Sequence, residues 1–339
     1  MDRPRRMSNT IMRYGAQQGD ATRSSGDTRL MAIVDRLRCG PGGGPGGRPP
    51  KPDRAFRVYL LRSLLAPATA VRWTGYIRAL HREVGAAAPP VRVLSKPVRR
   101  YLHRALWPSQ RLALLLEHYS WLRALFSREF IARICSQEAL PAVALRGRRG
   151  DEYDIFVVAS NVVFMQREGE LAICLAKPSA TRELCRLSLS FARVDGEPVV
   201  VIGGLQGPAS AFKREIIDAT RDLYGLRPKD AALLAARAFA RALGFNVLHA
   251  ICDANHVLRR LQDTAKYSRY DDYWSERGGK RGGPFGFVFG PLEATAPSGD
   301  RRDATKAAIV VGMEAFVAAH RALRRPPDLL HRPGGRCRP

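Results

Sequence analysis

The chain has 339 residues, enough for one large domain or two ordinary ones with a sizeable hydrophobic core. Hydrophobic residues make up 45% and charged residues 26%, as in soluble globular proteins. No run of about 18 apolar residues occurs, which excludes a bilayer-spanning helix. The formal net charge of +25 is unusual for a soluble globular protein, and a chain with this charge attracts anions rather than repelling them.

The positive charge comes almost entirely from arginine, because 48 of the 56 basic residues are Arg. It indicates either an anionic partner or solvated arginines scattered over the surface. The candidate anions are a phospholipid surface, the phosphates of an acyl-CoA and nucleic acid. No basic helix alternates with exposed aromatic residues, so nucleic acid is the weakest of the three.

The six cysteines lie far apart and show no metal-ligand spacing, so no metal site is predicted. Cys174, Cys185 and Cys252 fall within apolar runs and are expected to be buried and reduced. The basic N-terminus lacks the compact apolar segment of a signal peptide. These features predict a cytoplasmic protein, with peripheral contact to the inner membrane left open.

Four regions follow one another along the chain. Residues 1–54 are rich in Arg, Gly and Pro and are predicted to be disordered, and 325–339 form a basic tail. Apolar residues at helical spacing predict a helical region over 55–139, with a break at Pro67. Within it, 109–134 predicts a strong amphipathic helix or helix pair with Ser109 as its N-cap. Residues 140–324 are predicted to form a mixed α and β core.

Within this core the periodicity first becomes that of short strands. Six runs between 140 and 207, including 162–169, predict an antiparallel sheet, and Asp195-Gly196 predicts a hairpin.

Two helices follow these strands, the first with Ser210 as N-cap and Gly225 as C-cap, the second with Pro228 near its first turn and Gly244 at its end. A buried strand around 245–254 comes next. The fold class is therefore α+β, with an N-terminal helical region packed on a mostly antiparallel central sheet that is flanked by helices.

The end of the strand before residue 207 is one candidate binding site. Gly203 and Gly204 would let a ligand approach the backbone, with Gln206 beside them, or they would equally mark a bulge. The element order resembles the layout of GNAT-like acyltransferases, in which acyl-CoA binds between two splayed strands. Arg227 and Lys229 then stand where a phosphate would bind, although the usual glycine-rich loop is absent.

The segment after the buried strand is the second half of this candidate site. His256 could act as a general base and Asn255 as a hydrogen-bonding positioner, or His256 could simply pack in the core. Asp253 is expected to cap a helix. His103 and His118 are expected to be packing residues.

Carboxylates and aromatic side chains alternate over residues 267–276. Tyr270 and Trp274 could bind a ligand, and an apolar neighbourhood around Trp274 could prepare Asp272 or Glu276 for acid–base catalysis. The alternative is a surface loop whose aromatic residues attach it to the core. Catalytic candidates are therefore His256, Asp272 and Glu276, with acyl-CoA as the candidate cofactor.

Several motifs together resemble the bacterial VirK/YbjX family, whose biochemical function is undetermined. The resemblance covers roughly 56–324 and implies cytoplasmic proteins of Gram-negative bacteria linked to virulence, envelope maintenance or resistance to cationic peptides. It implies no catalytic residues. Two functions are therefore predicted: an envelope-linked protein with an acyltransferase-like pocket, or a non-enzymatic, chaperone-like or anionic-surface-binding factor for envelope proteins. The motifs are HYSWL (118–122), LSLSF (187–191), VVVIGGLQG (199–207), DATRDLYGLRPKDAAL (218–233), ALGFNVLHAICDANHV (242–257) and YDDYWSERGG (270–279).

Overall fold

The computed structural model describes residues 53–178, 183–208, 212–258, 269–291 and 300–322. The disorder predicted for 1–54 and the basic tail at 325–339 therefore lie almost wholly outside the described residues. The helices are α1 (Asp53–Ser63), α2 (Pro67–Val84), α3 (Val91–Leu94), α4 (Pro108–Leu125), α5 (Arg128–Cys135), α6 (Lys213–Asp222), α7 (Pro228–Ala242), α8 (Tyr270–Glu276) and α9 (Arg301–His320). The strands are β1 (Leu140–Arg146), β2 (Glu152–Ala159), β3 (Leu171–Ala176), β4 (Glu183–Val194), β5 (Glu197–Gln206), β6 (Leu248–Ile251), β7 (Lys280–Gly282) and β8 (Gly286–Phe289).

The eight strands form one sheet in the order β1-β2-β3-β4-β5-β6-β8-β7. Neighbouring strands are antiparallel except β5 and β6, which run parallel because α6 and α7 cross over between them. The predicted α+β class, with helices around a mostly antiparallel sheet, is confirmed.

The N-terminal region is helical as predicted, and it packs on the sheet through buried aromatic residues. Trp73 of α2 is fully buried, and His118 and Trp121 of α4 are also buried. Trp73 and Trp121 belong to the same core cluster as Phe191 of β4. The His118 ring stacks on Phe191 at 5.0 Å, so this histidine is a packing residue. The contact removes apolar ring surface from water on both the helices and the sheet. Burial of these rings therefore stabilises the packing of the helical region on the sheet.

The strong helical pattern over 109–134 belongs to two helices rather than one. The first helix ends at Leu125, and Ser127 accepts a hydrogen bond from the backbone of Phe130 as the N-cap of α5. The start of α4 differs from the prediction, since Pro108 occupies its first turn and Ser109 is not the cap. Proline suits that position because its missing N–H has no partner there in any helix.

The predicted hairpin is confirmed at the joint of β4 and β5, where Asp195 and Gly196 have φ of 52° and 86°. The predicted strand at 162–169 is wrong, because these residues form turns between β2 and β3. Their apolar side chains Val162, Val163 and Met165 are buried from the turns themselves. A short apolar run does not distinguish a strand from a buried turn.

The crossover between the parallel strands follows the predicted signals. Pro228 lies in the first turn of α7, and Gly225 and Gly244 adopt left-handed backbone angles after α6 and α7. Ser210, the predicted cap of α6, lies outside the described residues. β6 is buried at all four positions, as expected for a central strand.

Candidate functional site

Gly203 marks a β-bulge in β5 and a close backbone contact. The register between β4 and β5 shifts here, since Ser188 pairs with Gly204 while Leu189 pairs with Ile202. A Cβ atom on Gly203 would lie 1.8 Å from the backbone oxygen of Glu168. Of the two interpretations of these glycines, the bulge is the one in the structure, and what approaches the backbone is the turn that carries Glu168.

Glu168 is the centre of a buried polar network that the sequence did not reveal. Its carboxylate is buried to 1% exposure and accepts hydrogen bonds from Nε2 of Gln206, at 2.8 Å to each oxygen. Gln206 in turn accepts from Arg186, which forms an ion pair with Glu183. A chain of polar groups thus runs along β4 and β5 from Glu183 to the buried carboxylate.

His256 completes this network on its inner side. Its Nε2 lies 2.8 Å from a carboxylate oxygen of Glu168, without the alignment of a good hydrogen bond. Its Nδ1 accepts from the backbone of Leu258, which places the proton of the neutral ring on Nε2. A histidine paired with a carboxylate can move a proton, but this ring is 4% exposed and packs edge-on against Tyr270 at 5.1 Å.

The two strand ends of the candidate site do face a common gap, which we call the wedge: Gly203–Gln206 on one wall and the end of β6 on the other. The parallel pairing of β5 with β6 covers only Val200–Ile202. Beyond it, the backbone N–H of Leu205 donates to the hydroxyl of Tyr270 at 3.2 Å. On the opposite wall the carbonyl of Ile251 accepts from Nε1 of Trp274 at 2.9 Å.

Tyr270 and Trp274 therefore fill the wedge with the protein's own side chains. Their rings are buried and stacked on each other at 5.8 Å. Each ring satisfies a backbone group that the diverging strands leave without a ladder partner. The two aromatic residues predicted to bind a ligand thus occupy the position between the strand ends where that ligand was expected.

The segment after β6 is tied to the start of α8 through Asp253, although Arg269 rather than Asp253 occupies the N-cap position and His256 does not lie in the first turn of this helix. The carboxylate of Asp253 accepts from the backbone N–H groups of Tyr270 and Asp271, while Asp271 accepts from the backbone of Asp253. This reciprocal pair fixes the start of α8. Asn255 is half-buried, and its backbone carbonyl accepts from the backbone of Arg104 at 2.9 Å.

Asp272 and Glu276 lie on the outer face of α8. Their side chains are 62% and 64% exposed and form ion pairs with Arg269 and Arg277. The apolar neighbourhood predicted around Trp274 does not reach them, because Trp274 points into the core while both carboxylates point to solvent. The structure does not bring these two carboxylates together with His256.

Arg227 and Lys229 lie at the start of α7. Arg227 is exposed, whereas Lys229 is half-buried, with its ammonium 5.9 Å from the Tyr273 ring. Burial lowers the pKa of Lys229, and nearby Arg277 adds to this effect. Arg277 and Tyr273 both bind Asp230, so the first turn of α7 carries its own counter-charge.

A second buried polar centre forms around Glu170, two positions along the chain from Glu168. Lys96 and Glu170 form an ion pair of 2.6 Å with both side chains 2% exposed or less, and Tyr119 donates to the same carboxylate. Burial lowers the pKa of Lys96, and the carboxylate opposes this change. This ion pair joins the helical region to the segment before β3. In the sequence, the pattern Glu168-Gly169-Glu170 was the feature that could have pointed to it.

The turn between α1 and α2 has the opposite character, because its large apolar side chains face solvent. We call this surface the apolar tip. Leu64 and Leu65 are 75% and 84% exposed, and Val71 is 73% exposed. Residues 54–82 contain six arginines and no aspartate or glutamate. The tip consists of Phe56, Leu60, Leu61, Leu64, Leu65 and Val71.

Comparison with known proteins identifies relatives without assigned activities. The family model described as "Protein of unknown function (DUF535)" matches residues 51–296. The uncharacterized protein YbjX of Escherichia coli (strain K12) is 28% identical over 232 residues, which cover 67% of this chain and 69% of that protein. Within the described ranges, no helix combines the length and apolar character needed to cross a membrane.

Proposed function

We propose that this chain, which belongs to the VirK/YbjX family of proteins of unknown function (DUF535), is a non-enzymatic factor that docks on anionic membrane surfaces through the apolar tip. A cytoplasmic location with peripheral contact to the inner membrane, and a role in envelope maintenance, belong to the same proposal. The observation that carries it is the group of exposed apolar side chains on a helical turn that is surrounded by arginines.

The apolar part of the tip suits the boundary between headgroups and acyl chains. Leu64 and Leu65 protrude at the turn itself, while Tyr59 and Trp73 on the inner faces of the same helices are buried. The helix pair is therefore fixed to the core on one side and exposes leucines on the other. Inserting such side chains into a bilayer recovers the hydrophobic free energy that their exposure to water forfeits.

The charge around the tip selects the kind of membrane. Arg62 and Arg72 are exposed on the two helices, and residues 54–82 contain no aspartate or glutamate. An arginine near an anionic bilayer contributes roughly 1 kcal/mol. Apolar insertion together with several arginines gives the two signals that stable peripheral binding requires.

The acyltransferase-like function remains a second candidate because of the strand order. A parallel pair β5 and β6, joined through α7 and followed by the order β6-β8-β7, resembles the GNAT-like layout. Binding of acyl-CoA in the wedge would require Tyr270 and Trp274 to leave, and both are hydrogen-bonded to the strand ends. This requirement is why we place the binding function first.

Vesicle flotation of the full chain tests the proposal. We expect the protein to float with phosphatidylglycerol-containing vesicles, but not with pure phosphatidylcholine vesicles, and to lose binding as salt rises. Replacing Leu64 and Leu65 by Asn should weaken partitioning by about tenfold or more, since each buried leucine contributes roughly 1.5–3 kcal/mol.

Val311→Asn is the matched control, because Val311 is 64% exposed but lies on α9. It should float like the wild type. Equal flotation of the tip variant and the wild type, or no flotation with anionic vesicles, would overturn the proposal.

A further inference from the structure

Five arginines from four separate segments lie near enough beside the apolar tip to act on one another electrostatically, and we call them the arginine cluster. One comes from the last turn of α1, two from the segment between α3 and α4, one from the first turn of α4, and one from the turn that precedes Glu168. Hydrogen bonds join three of these segments, since the N–H of Leu102 donates to the carbonyl of Arg167 at 2.8 Å and Arg111 donates to the carbonyl of Pro97. The members are Arg62, Arg99, Arg100, Arg111 and Arg167.

Backbone carbonyls rather than carboxylates hold the guanidinium groups in place. Arg167 donates to the carbonyls of Arg100 and Val257 at 3.2 and 3.1 Å. Arg111 donates to the carbonyls of Pro97 and Leu106. Among the described residues, no ion pair within 4 Å joins a member of the cluster to an acid. The guanidinium groups of Arg111 and Arg167 are therefore positioned by carbonyls, and no ion pair within the described ranges neutralises the cluster.

The cluster is electrostatically strained. Burial, and then the neighbouring arginines, lower the pKa of Arg99, Arg111 and Arg167. The nearby carboxylate of Glu168 acts on Arg167, but it is already engaged by Gln206. Like charges held together in partly buried positions attract an anion strongly, because its binding removes their mutual repulsion.

One donor in the cluster is buried and has no acceptor. The Nε of Arg111 lacks a hydrogen-bond partner among the described residues, although both terminal nitrogens of this side chain are engaged by carbonyls. A buried N–H without an acceptor is rare and costs free energy. It marks a place where the oxygen of a ligand would be stabilised.

We infer that the arginine cluster is a binding site for a phosphate group, either a phosphomonoester or a diphosphate. Guanidinium groups that converge from several directions match the several oxygens of a tetrahedral dianion, whereas a carboxylate offers only two oxygens in one plane. The phosphate belongs to a lipid headgroup or to a soluble phosphate ester. The site itself does not depend on the proposed docking of the apolar tip, although it lies on the same side of the helical region through Arg62.

Calorimetric titration of the full chain with inorganic pyrophosphate, at constant ionic strength, tests this site without a membrane. The informative variant is Arg100→Gln, since this exposed side chain is not a donor in the hydrogen bonds that hold the segment. We expect it to weaken binding at least tenfold. Arg78→Gln is the matched control, because Arg78 is exposed on α2 outside the cluster, and it should bind as the wild type does.

Dihexanoyl phosphatidic acid, below its micelle concentration, separates the two sources of the phosphate. Binding that is tighter than that of pyrophosphate and is weakened by Arg100→Gln supports a lipid headgroup, whereas tighter pyrophosphate binding supports a soluble ester. The Leu64 and Leu65 double variant should keep its pyrophosphate affinity, so failure of tip docking and failure of this site are distinguishable. Unchanged affinity in Arg100→Gln, or an equal loss in Arg78→Gln, would overturn the inference.

Discussion

The wedge and the arginine cluster differ in how their polar groups are paired. In the wedge, Glu168 is paired with Gln206 and His256, and the backbone groups of the strand ends are bonded to Tyr270 and Trp274. In the arginine cluster, like charges are held by carbonyls and no described acid neutralises them. The difference teaches that burial alone does not identify a site: a buried carboxylate surrounded by donors stabilises a fold, whereas partly buried like charges without a described counter-charge attract an anion.

Glu168→Ala is expected to have the largest effect, because it removes the central acceptor of the buried network. Gln206 and His256 would lose their shared neighbour, and Arg167 would lose the nearby carboxylate that favours its charge. We expect the free energy of unfolding to fall by about 3–5 kcal/mol, as measured by urea denaturation. Glu276→Ala, at an exposed carboxylate of α8, should change it by less than about 0.5 kcal/mol. A loss of similar size in both variants would show that the network does not stabilise the fold.

Gly203→Ala tests whether the bulge serves packing. The new Cβ would meet the backbone oxygen of Glu168 at 1.8 Å, so we expect a loss of about 1–3 kcal/mol in urea denaturation. Gly207→Ala is the control, because the nearest atom to its Cβ would be 3.8 Å away. If Gly203→Ala is as stable as Gly207→Ala, the close contact with the Glu168 turn is not a constraint on this position.

Acid should destabilise the joint between helices and sheet through His118. Burial, with nearby Lys96, holds the pKa of His118 well below its usual range. The unfolded state then binds more protons than the folded state as pH falls below about 6.5, so stability decreases with falling pH. His118→Asn keeps an acceptor for the backbone of Phe191 but cannot titrate.

We therefore expect the wild type to lose about 1 kcal/mol more stability than His118→Asn between pH 7.5 and pH 5.5. Urea denaturation at the two pH values measures this difference. Equal losses in the two proteins would mean that His118 does not oppose protonation in the folded state.

The smallest expected effect is that of acyl-CoA on the wild type. Because Tyr270 and Trp274 fill the wedge, a panel of CoA and acyl-CoA compounds should not raise the melting temperature. A clear rise that disappears in Arg227→Ala and Lys229→Ala would instead favour the acyltransferase-like function and require that the two rings move.

Local patterns in the sequence predicted the elements of the fold better than the contacts between them. The spacing of apolar residues predicted the helices, with breaks or starts at Pro67 and Pro228, and Asp195-Gly196 predicted the hairpin. The structure contains all of these elements. The strand predicted over 162–169 was wrong, because the buried apolar residues of this segment lie in turns and do not pair with a neighbouring strand. Such a turn differs from a strand only in its tertiary partners.

The candidate site could be predicted only in part, for the same reason. The strand ends at Gly203–Gln206 and at Ile251 lie beyond the short parallel pairing of β5 and β6, but the side chains that fill the gap between them come from a distant segment. Lys96 and Glu170 are 74 positions apart, and Arg167 reaches a carbonyl 90 positions away. No spacing rule connects residues so far apart, and the solvated-arginine interpretation could not reveal which arginines converge.

Hydrogen–deuterium exchange of the full chain, with and without phosphatidylglycerol-containing vesicles, compares the two regions most directly. The account predicts slower exchange over residues 56–71 and 97–111, which carry the apolar tip and part of the arginine cluster, and unchanged exchange over 203–206 and 249–256 at the wedge. Protection of the wedge by vesicles, with no change at the tip and the cluster, would contradict it.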